Sequence, residues 1–189
     1  DAIEIRECAK VLNFEMANTT EMIDFALKLK PDYCCIVPEK RDEKTTEGGL
    51  ILPSTNTLKF KNFSDNIKKL SNEGIKVSLF IDPNIESVQL SKNLGADIVE
   101  LHTGHYANEF NTINEFEMID NITSSAEFAD KLGLLVNAGH GLNYENLNQL
   151  CKIQSLNELN IGHSIISQAV FTGLKDAIKK IISIINNCD

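Results

Sequence analysis

Six short apolar runs, each followed by polar or glycine-containing residues, limit the folds open to this chain more than any other feature. They are Val11–Met16, Tyr33–Val37, Val77–Ile81, Ile98–Leu101, Leu134–Ala138 and Leu159–Ile161. The segments between them carry helical periodicity. Met22, Phe25, Ala26 and Leu29 recur at the spacing of one helix face. Asn18-Thr19-Thr20 offers capping groups before that helix, and Pro31 follows its end. Phe63, Ile67 and Leu70 predict a helix over Phe63–Leu70, capped by Ser64. Helices over Ile85–Leu94 and Ser124–Leu132 are predicted to stop at Gly95 and Gly133. Leu174–Ile185 is predicted to be the last helix and the longest. Alternating strands and helices imply βα units and a parallel sheet. The strand runs are nearly all apolar, as in strands covered on both faces.

Chemically capable residues then decide between an open sheet and a barrel. Glu15, Glu39, Asp82, Glu100, His102, Asn137, His140, Asn160 and His163 all fall at or just beyond strand ends. An open doubly wound sheet gathers function at one switch point, whereas a barrel gathers it from many strand ends around one mouth. The spread favours a (β/α)8 TIM barrel. No strand leads into a dinucleotide or P-loop glycine fingerprint. Strands recur about once per 30 residues, so eight units would need about 240 residues. The 189 residues hold about six. Asp1–Lys10 reads as a helix without its preceding strand. The expectation is a single domain over 1–189, N-terminally incomplete by two βα units.

Composition narrows the class further. Eighteen basic against twenty-seven acidic side chains give a net charge of −9. No basic stripe supports nucleic-acid binding, and no apolar run is long enough to span a membrane. Five cysteines without a CxxC spacing read as reduced thiols in a cytoplasmic protein. Cys34 and Cys35, adjacent on one strand, are expected to face opposite ways and to serve packing.

All four histidines lie in glycine-containing segments at strand ends. Glu100 and His102, two residues apart on a strand, share a face. Glu100 reads either as a structural ion pair or as an acid, base or charge stabiliser. His102 and His105 are capable metal ligands, but no further ligand cluster supports a metal. In Asn137-Ala138-Gly139-His140-Gly141-Leu142, two glycines let the backbone turn sharply beside His140. His140 is either a structural histidine or a proton handler at a barrel mouth. Gly162-His163 opens a helix after the last strand, either as a tight turn or as an anion site. Pro38–Leu50 is rich in charge, with paired threonines and a Gly-Gly pair, and reads either as a solvated surface or as a lid contacting an anion. Glu15, on another strand, supplies a second carboxylate at the same mouth.

Taken together and in order, several segments resemble pyridoxine 5′-phosphate synthase. They are Asn13-Phe14-Glu15-Met16, Val37-Pro38-Glu39-Lys40-Arg41, Thr45-Thr46-Glu47-Gly48-Gly49-Leu50, Glu100-Leu101-His102-Thr103-Gly104, Asn137-Ala138-Gly139-His140-Gly141-Leu142, Glu158-Leu159-Asn160-Ile161-Gly162-His163 and Phe171-Thr172-Gly173-Leu174. The resemblance spans essentially the whole chain. It implies a (β/α)8 barrel that condenses 1-deoxy-D-xylulose 5-phosphate with 3-amino-2-oxopropyl phosphate, releasing pyridoxine 5′-phosphate, phosphate and water. By that resemblance Glu15 looks like a general base, His140 like a proton donor and Glu100 like a transition-state stabiliser. Thr45, Gly141, Gly162 and His163 match substrate- or product-contacting positions. The resemblance implies no cofactor and no metal, small phosphorylated substrates as partners, and homo-oligomers. The family's first two strands carry further substrate-phosphate and catalytic groups that these 189 residues lack. The isolated chain is therefore predicted inactive. Two other readings stand beside this one. The first is a noncatalytic phosphate-binding fragment or pseudoenzyme. The second is a phosphosugar aldolase, for which a lysine at a strand end would be needed.

Overall fold

The computed structural model describes residues 1–38 and 48–187. Its elements alternate as expected. A short helix α1 (Ala2–Cys8) precedes β1 (Asn13–Ala17), α2 (Thr20–Leu29), β2 (Tyr33–Val37), α3 (Leu58–Asn72), β3 (Lys76–Ile81), α4 (Ile85–Leu94) and β4 (Ile98–His102). Then follow α5 (Gly104–Glu109), α6 (Glu115–Lys131), β5 (Leu135–Gly139), α7 (Leu147–Leu150), β6 (Glu158–Asn160), α8 (His163–Thr172) and α9 (Leu174–Asn186).

The strands form one parallel sheet in sequential order, β1 to β6. Sequential order leaves no topological switch point, which excludes the doubly wound alternative. The result is a half-barrel with two open edges among the described residues, β1 and β6.

Strand periodicity divides the sheet into two chemically different faces. Met16, Cys34, Ile36, Val77, Leu79, Ile81, Val99, Leu101, Val136 and Ala138 join the helices in one apolar core. Ile23 and Ala26 of α2, Ile67 and Leu70 of α3, Val88 and Leu94 of α4, and Ile122, Ala126 and Ala129 of α6 fill its other side. The residues between them, including Cys35, Ser78, Glu100, His102 and Asn137, are buried on the opposite, inner face. The strands are therefore buried on both faces, as expected, but the inner face is largely polar.

Three helix expectations need correction. Helix α3 starts at Leu58, and its cap is Thr57, whose side chain accepts from Phe60 N at 3.1 Å. Ser64 is buried within the helix and donates to Leu94 O at 3.1 Å. The longest helix is α6, with 17 residues against 13 in α9. Its buried face includes Ser125, Ala126 and Ala129, and such small residues weaken the periodic signal. Elsewhere local chemistry behaves as read. Thr19 caps α2 by accepting from Met22 N, and α4 ends at Gly95 in the left-handed region. No described helix is long and apolar enough to cross a membrane.

Candidate functional site

At the C-terminal ends of the strands, a cavity of about 740 Å³ is lined by Glu15, Phe80, Glu100, His140, Gly141, Asn160, Gly162, His163 and neighbouring residues. Six of the seven site residues selected from sequence thus meet in one place. The seventh, Thr45, lies outside the described residues, as do Glu39 and most of the segment read as a lid. A second cavity of about 740 Å³ lies at the other end of the sheet, against Asp130, Lys131, Leu135, Lys152 and Asn157. None of the residues singled out for chemistry reaches it.

Glu100 sits in the middle of β4, 8% exposed. In register it lies between Phe80 of β3 and Asn137 of β5. Gly139 makes room for it, since a Cβ there would stand 2.5 Å from Glu100 Oε1. Burial pushes the Glu100 carboxyl above the ordinary range; hydrogen bonds from Cys35 and Asn160 partly oppose this. The Cys35 thiol donates to Glu100 Oε2 at 3.4 Å. Burial and the Glu100 charge hold that thiol well above its ordinary pKa, so it remains a donor. Cys34 faces the helices, and burial pushes its thiol up to about 12. The two cysteines do face opposite ways, and one of them serves the carboxylate as well as packing. Sequence reasoning missed this because the Cys35–Glu100 contact spans two strands whose register no local pattern reveals.

Glu15 is on the edge strand β1 and exposed to the mouth. Partial burial still raises its carboxyl above the ordinary value. His140 follows β5 in a left-handed conformation, φ 84°. Such a φ is uncommon for a residue with a Cβ, and the surroundings must hold it. Thr103, fully buried after β4, does so: its Oγ1 lies 2.6 Å from His140 O and 2.7 Å from Gly139 O, sharing one proton between the two carbonyls. Burial, and then the neighbouring His102, push His140 below the usual histidine range.

His102 is 2% exposed and forms a pair with Asp82, Nδ1 to Oδ1, at 3.2 Å. The His102 ring packs against Phe80, His105 and His140, with centroids 5.2, 5.5 and 5.0 Å away. Ligand atoms of Asp82, His102 and His105 lie within 4.8 Å of one another, a grouping that spacing alone did not reveal. Asp82 Oδ1 and His102 Nδ1 already satisfy each other there. At the far side of the mouth, Gly162 precedes α8 without a side-chain cap. The first N–H groups of that helix are thus left for another acceptor. Ser164 ties this helix start to the preceding loop by donating to Leu142 O at 2.8 Å.

A mouth holding two carboxylates, a strained histidine and a helix N-terminus suits proton transfer on an anionic substrate. Comparison with known proteins agrees with that chemistry. The family described as "Pyridoxal phosphate biosynthesis protein PdxJ" matches residues 1–187. The chain belongs to the PdxJ family. It is 47% identical over 182 residues to the pyridoxine 5′-phosphate synthase of Akkermansia muciniphila, covering 95% of this chain and 72% of that protein. It is 46% identical over 188 residues to the Prochlorococcus marinus enzyme of the same name, covering 99% of this chain and 77% of that protein. Among solved structures, 3-keto-L-gulonate-6-phosphate decarboxylase from Vibrio cholerae superposes with a TM-score of 0.65 at 11% identity, covering 100% of this chain and 78% of that one. At such identity the likeness concerns the fold alone, and it is the fold of a TIM barrel. The PdxJ chain described here shares that architecture over six of its strands.

Proposed function

We propose that this PdxJ chain is a pyridoxine 5′-phosphate synthase, joining 1-deoxy-D-xylulose 5-phosphate to 3-amino-2-oxopropyl phosphate. Family membership supports the reaction. The convergence of Glu15, Glu100, His140, Gly141, Gly162 and His163 on one cavity is the observation that carries it to these residues. The amine of one substrate attacks the ketone of the other, and water leaves as the Schiff base forms. Phosphate is then lost, and an aldol-type closure precedes aromatisation. Each stage moves a proton to or from carbon, nitrogen or oxygen, so several weak acids and bases serve better than one strong nucleophile.

In this reading Glu15 is the general base. Burial raises its carboxyl and so makes it a stronger base than an ordinary carboxylate. His140 is the proton donor in the same cavity. Glu100, kept out of water, stabilises positive charge as it develops. Gly141, Gly162 and His163 receive a substrate phosphate at the start of α8, where the helix dipole favours an anion. Thr45 contacts substrate from the segment after β2. The residues named need neither a cofactor nor a metal for these steps. Homo-oligomers and a cytoplasmic location belong to the same proposal; exposed Val170, Phe171 and Leu174 offer apolar surface for self-association.

The open edges of the sheet favour a second reading for the isolated 189 residues: they bind phosphate without turnover. One experiment addresses both. The chain alone and a fusion carrying the part of the A. muciniphila relative that this chain does not cover are given both substrates, and pyridoxine 5′-phosphate is measured by chromatography. Product from the fusion that disappears with Glu100→Gln supports the synthase. A folded fusion that makes none overturns it.

A further inference from the structure

The chemistry proposed above leaves a charged pair at the mouth without a task. Asp82 follows β3 and His102 ends β4, and neither is among the groups assigned to the reaction. We propose that Asp82 and His102 are positioning residues that fix the ring of His140 and the proton it carries. The inference rests on the synthase reading for what that proton is used for, though not for the coupling itself.

Asp82 can only accept when ionised, so its contact at 3.2 Å places the proton of neutral His102 on Nδ1. The other nitrogen, Nε2, is then an acceptor. It is buried and has no hydrogen-bond partner. It faces Gly104, where a Cβ would overlap it and would lie 2.9 Å from His140 Cδ2. The missing side chain at Gly104 is what lets the two rings approach to 5.0 Å, inclined at 55°. The same turn anchors the His140 backbone through Thr103. Two consecutive residues, His102 and Thr103, thus hold both ends of His140. Asp82 Oδ1 also accepts from Gly49 N at 2.9 Å, so one carboxylate ties the chain entering at Gly49 to the histidine pair.

The charged and titratable groups around His140 are Glu15 on β1, Asp82 after β3, Glu100 and His102 on β4, His105 on α5 and His163 on α8. Burial and His102 both disfavour a cationic His140. Asp82 is the carboxylate bonded to His102, and in this proposal its negative charge, relayed through that ring, favours the proton on His140. Asp82 itself is held below the ordinary aspartate range, first by its bond with His102, and so remains ionised at neutral pH.

The test is Asp82→Asn. The amide oxygen still accepts from Gly49 N, so the variant removes charge and little else. Nuclear magnetic resonance of ring-labelled histidine in the full chain is expected to show the His140 titration midpoint moving to lower pH. In the fusion that turns over, kcat is expected to fall about tenfold with KM nearly unchanged, its alkaline limb moving down by the same amount. Asp82→Glu should restore part of both. Should Asp82→Asn not fold, Asp82→Ser repeats the measurement. An unchanged His140 midpoint in a folded variant overturns the proposal. The resonance measurement needs no turnover. Absence of product from the unsubstituted fusion would sink the synthase reading while leaving the coupling standing.

Discussion

The centre and the edges of this sheet carry equal shares of the candidate chemistry but hold it very differently. In β4 every residue is buried, and its Glu100, with the Thr103 that follows, bonds to groups on other strands or beyond them. In β1 and β6 no more than one residue is buried, and Glu15 and His163 stand exposed. A strand paired on both sides fixes its side chains by register; one paired on a single side leaves them partly to solvent. Central groups are therefore preorganised within the six strands. Edge groups depend on whatever lies against β1 and β6.

That contrast breaks most visibly if the 189 residues suffice for turnover. Six strands leave two sheet edges with unpaired backbone, and a mouth open between them. Loss of orientation at Glu15 and His163 is expected to cost on the order of 10³-fold in rate against the fused form. Equal product from the two in a coupled substrate assay would mean that the edges are as well ordered as the centre.

A second test compares one carboxylate from each region within the fusion. Glu100→Gln keeps size and removes charge at a site only 8% exposed. Turnover is expected to fall about 10²-fold, the size of losing one preorganised electrostatic contact. Glu15→Gln is also expected to reduce turnover, but its exposed position lets solvent supply part of the proton traffic. Added small carboxylates should therefore rescue Glu15→Gln and leave Glu100→Gln unaffected. Rescue of both would show that Glu100 is not sealed.

Much of this division was legible before the strands were placed. Short, nearly all-apolar runs located the strands to within a residue or two, and glycine-flanked histidines marked the mouth. Glu100 stood out because a carboxylate is costly on an otherwise apolar strand unless it is used, and His140 because glycines flank it at a strand end. Contacts that depend on register were not legible. Cys35 looked like a packing cysteine, since nothing local says that β2 and β4 bring it to Glu100. Thr103 drew no attention of its own, although its hydroxyl holds the strained His140. Small buried residues hid the length of α6, and a threonine cap about two turns earlier than expected moved the start of α3. Local pattern reveals which face a residue shares with its neighbours; only the assembled sheet reveals what lies across from it.

Thr103→Val offers a smaller, structural test of the same contrast. The substitution keeps shape and deletes a fully buried hydroxyl, leaving the His140 carbonyl without that donor. A loss of about 1–3 kcal/mol in urea denaturation is expected. Ser164→Ala, at the edge, removes a bond to Leu142 O where water can replace it. There the expected loss is below about 1 kcal/mol. A reversed order of the two losses would contradict a rigid centre and a soft edge.

The smallest expected effect is in the pH dependence of stability, and it discriminates the same two carboxylates. Burial raises Glu100 above its ordinary value of 4.5 in the folded chain. The folded state therefore binds this proton more tightly than the unfolded state. The stabilisation from protonated Glu100 is complete below the unfolded value and is lost as pH rises through the folded one. Asp82, and Asp32, which accepts from Leu12 N and pairs with Arg6, are both lowered in the folded chain; they act in the opposite sense and in a more acidic window, losing their contribution as pH falls. Comparing Glu100→Gln with the parent cancels those two groups to first order. The variant cannot ionise at this position. Its Tm minus that of the parent should accordingly rise from acid toward neutral pH, then level off once folded Glu100 is ionised. Glu15 is raised by burial as well, but its exposure lets water screen the charge, so Glu15→Gln should show a shallower rise. Thermal melts at intervals between pH 4 and 8 suffice to read both curves. A flat difference for Glu100→Gln would mean that its carboxylate is solvated after all, and the central strand would then hold its charge no more tightly than the edge does.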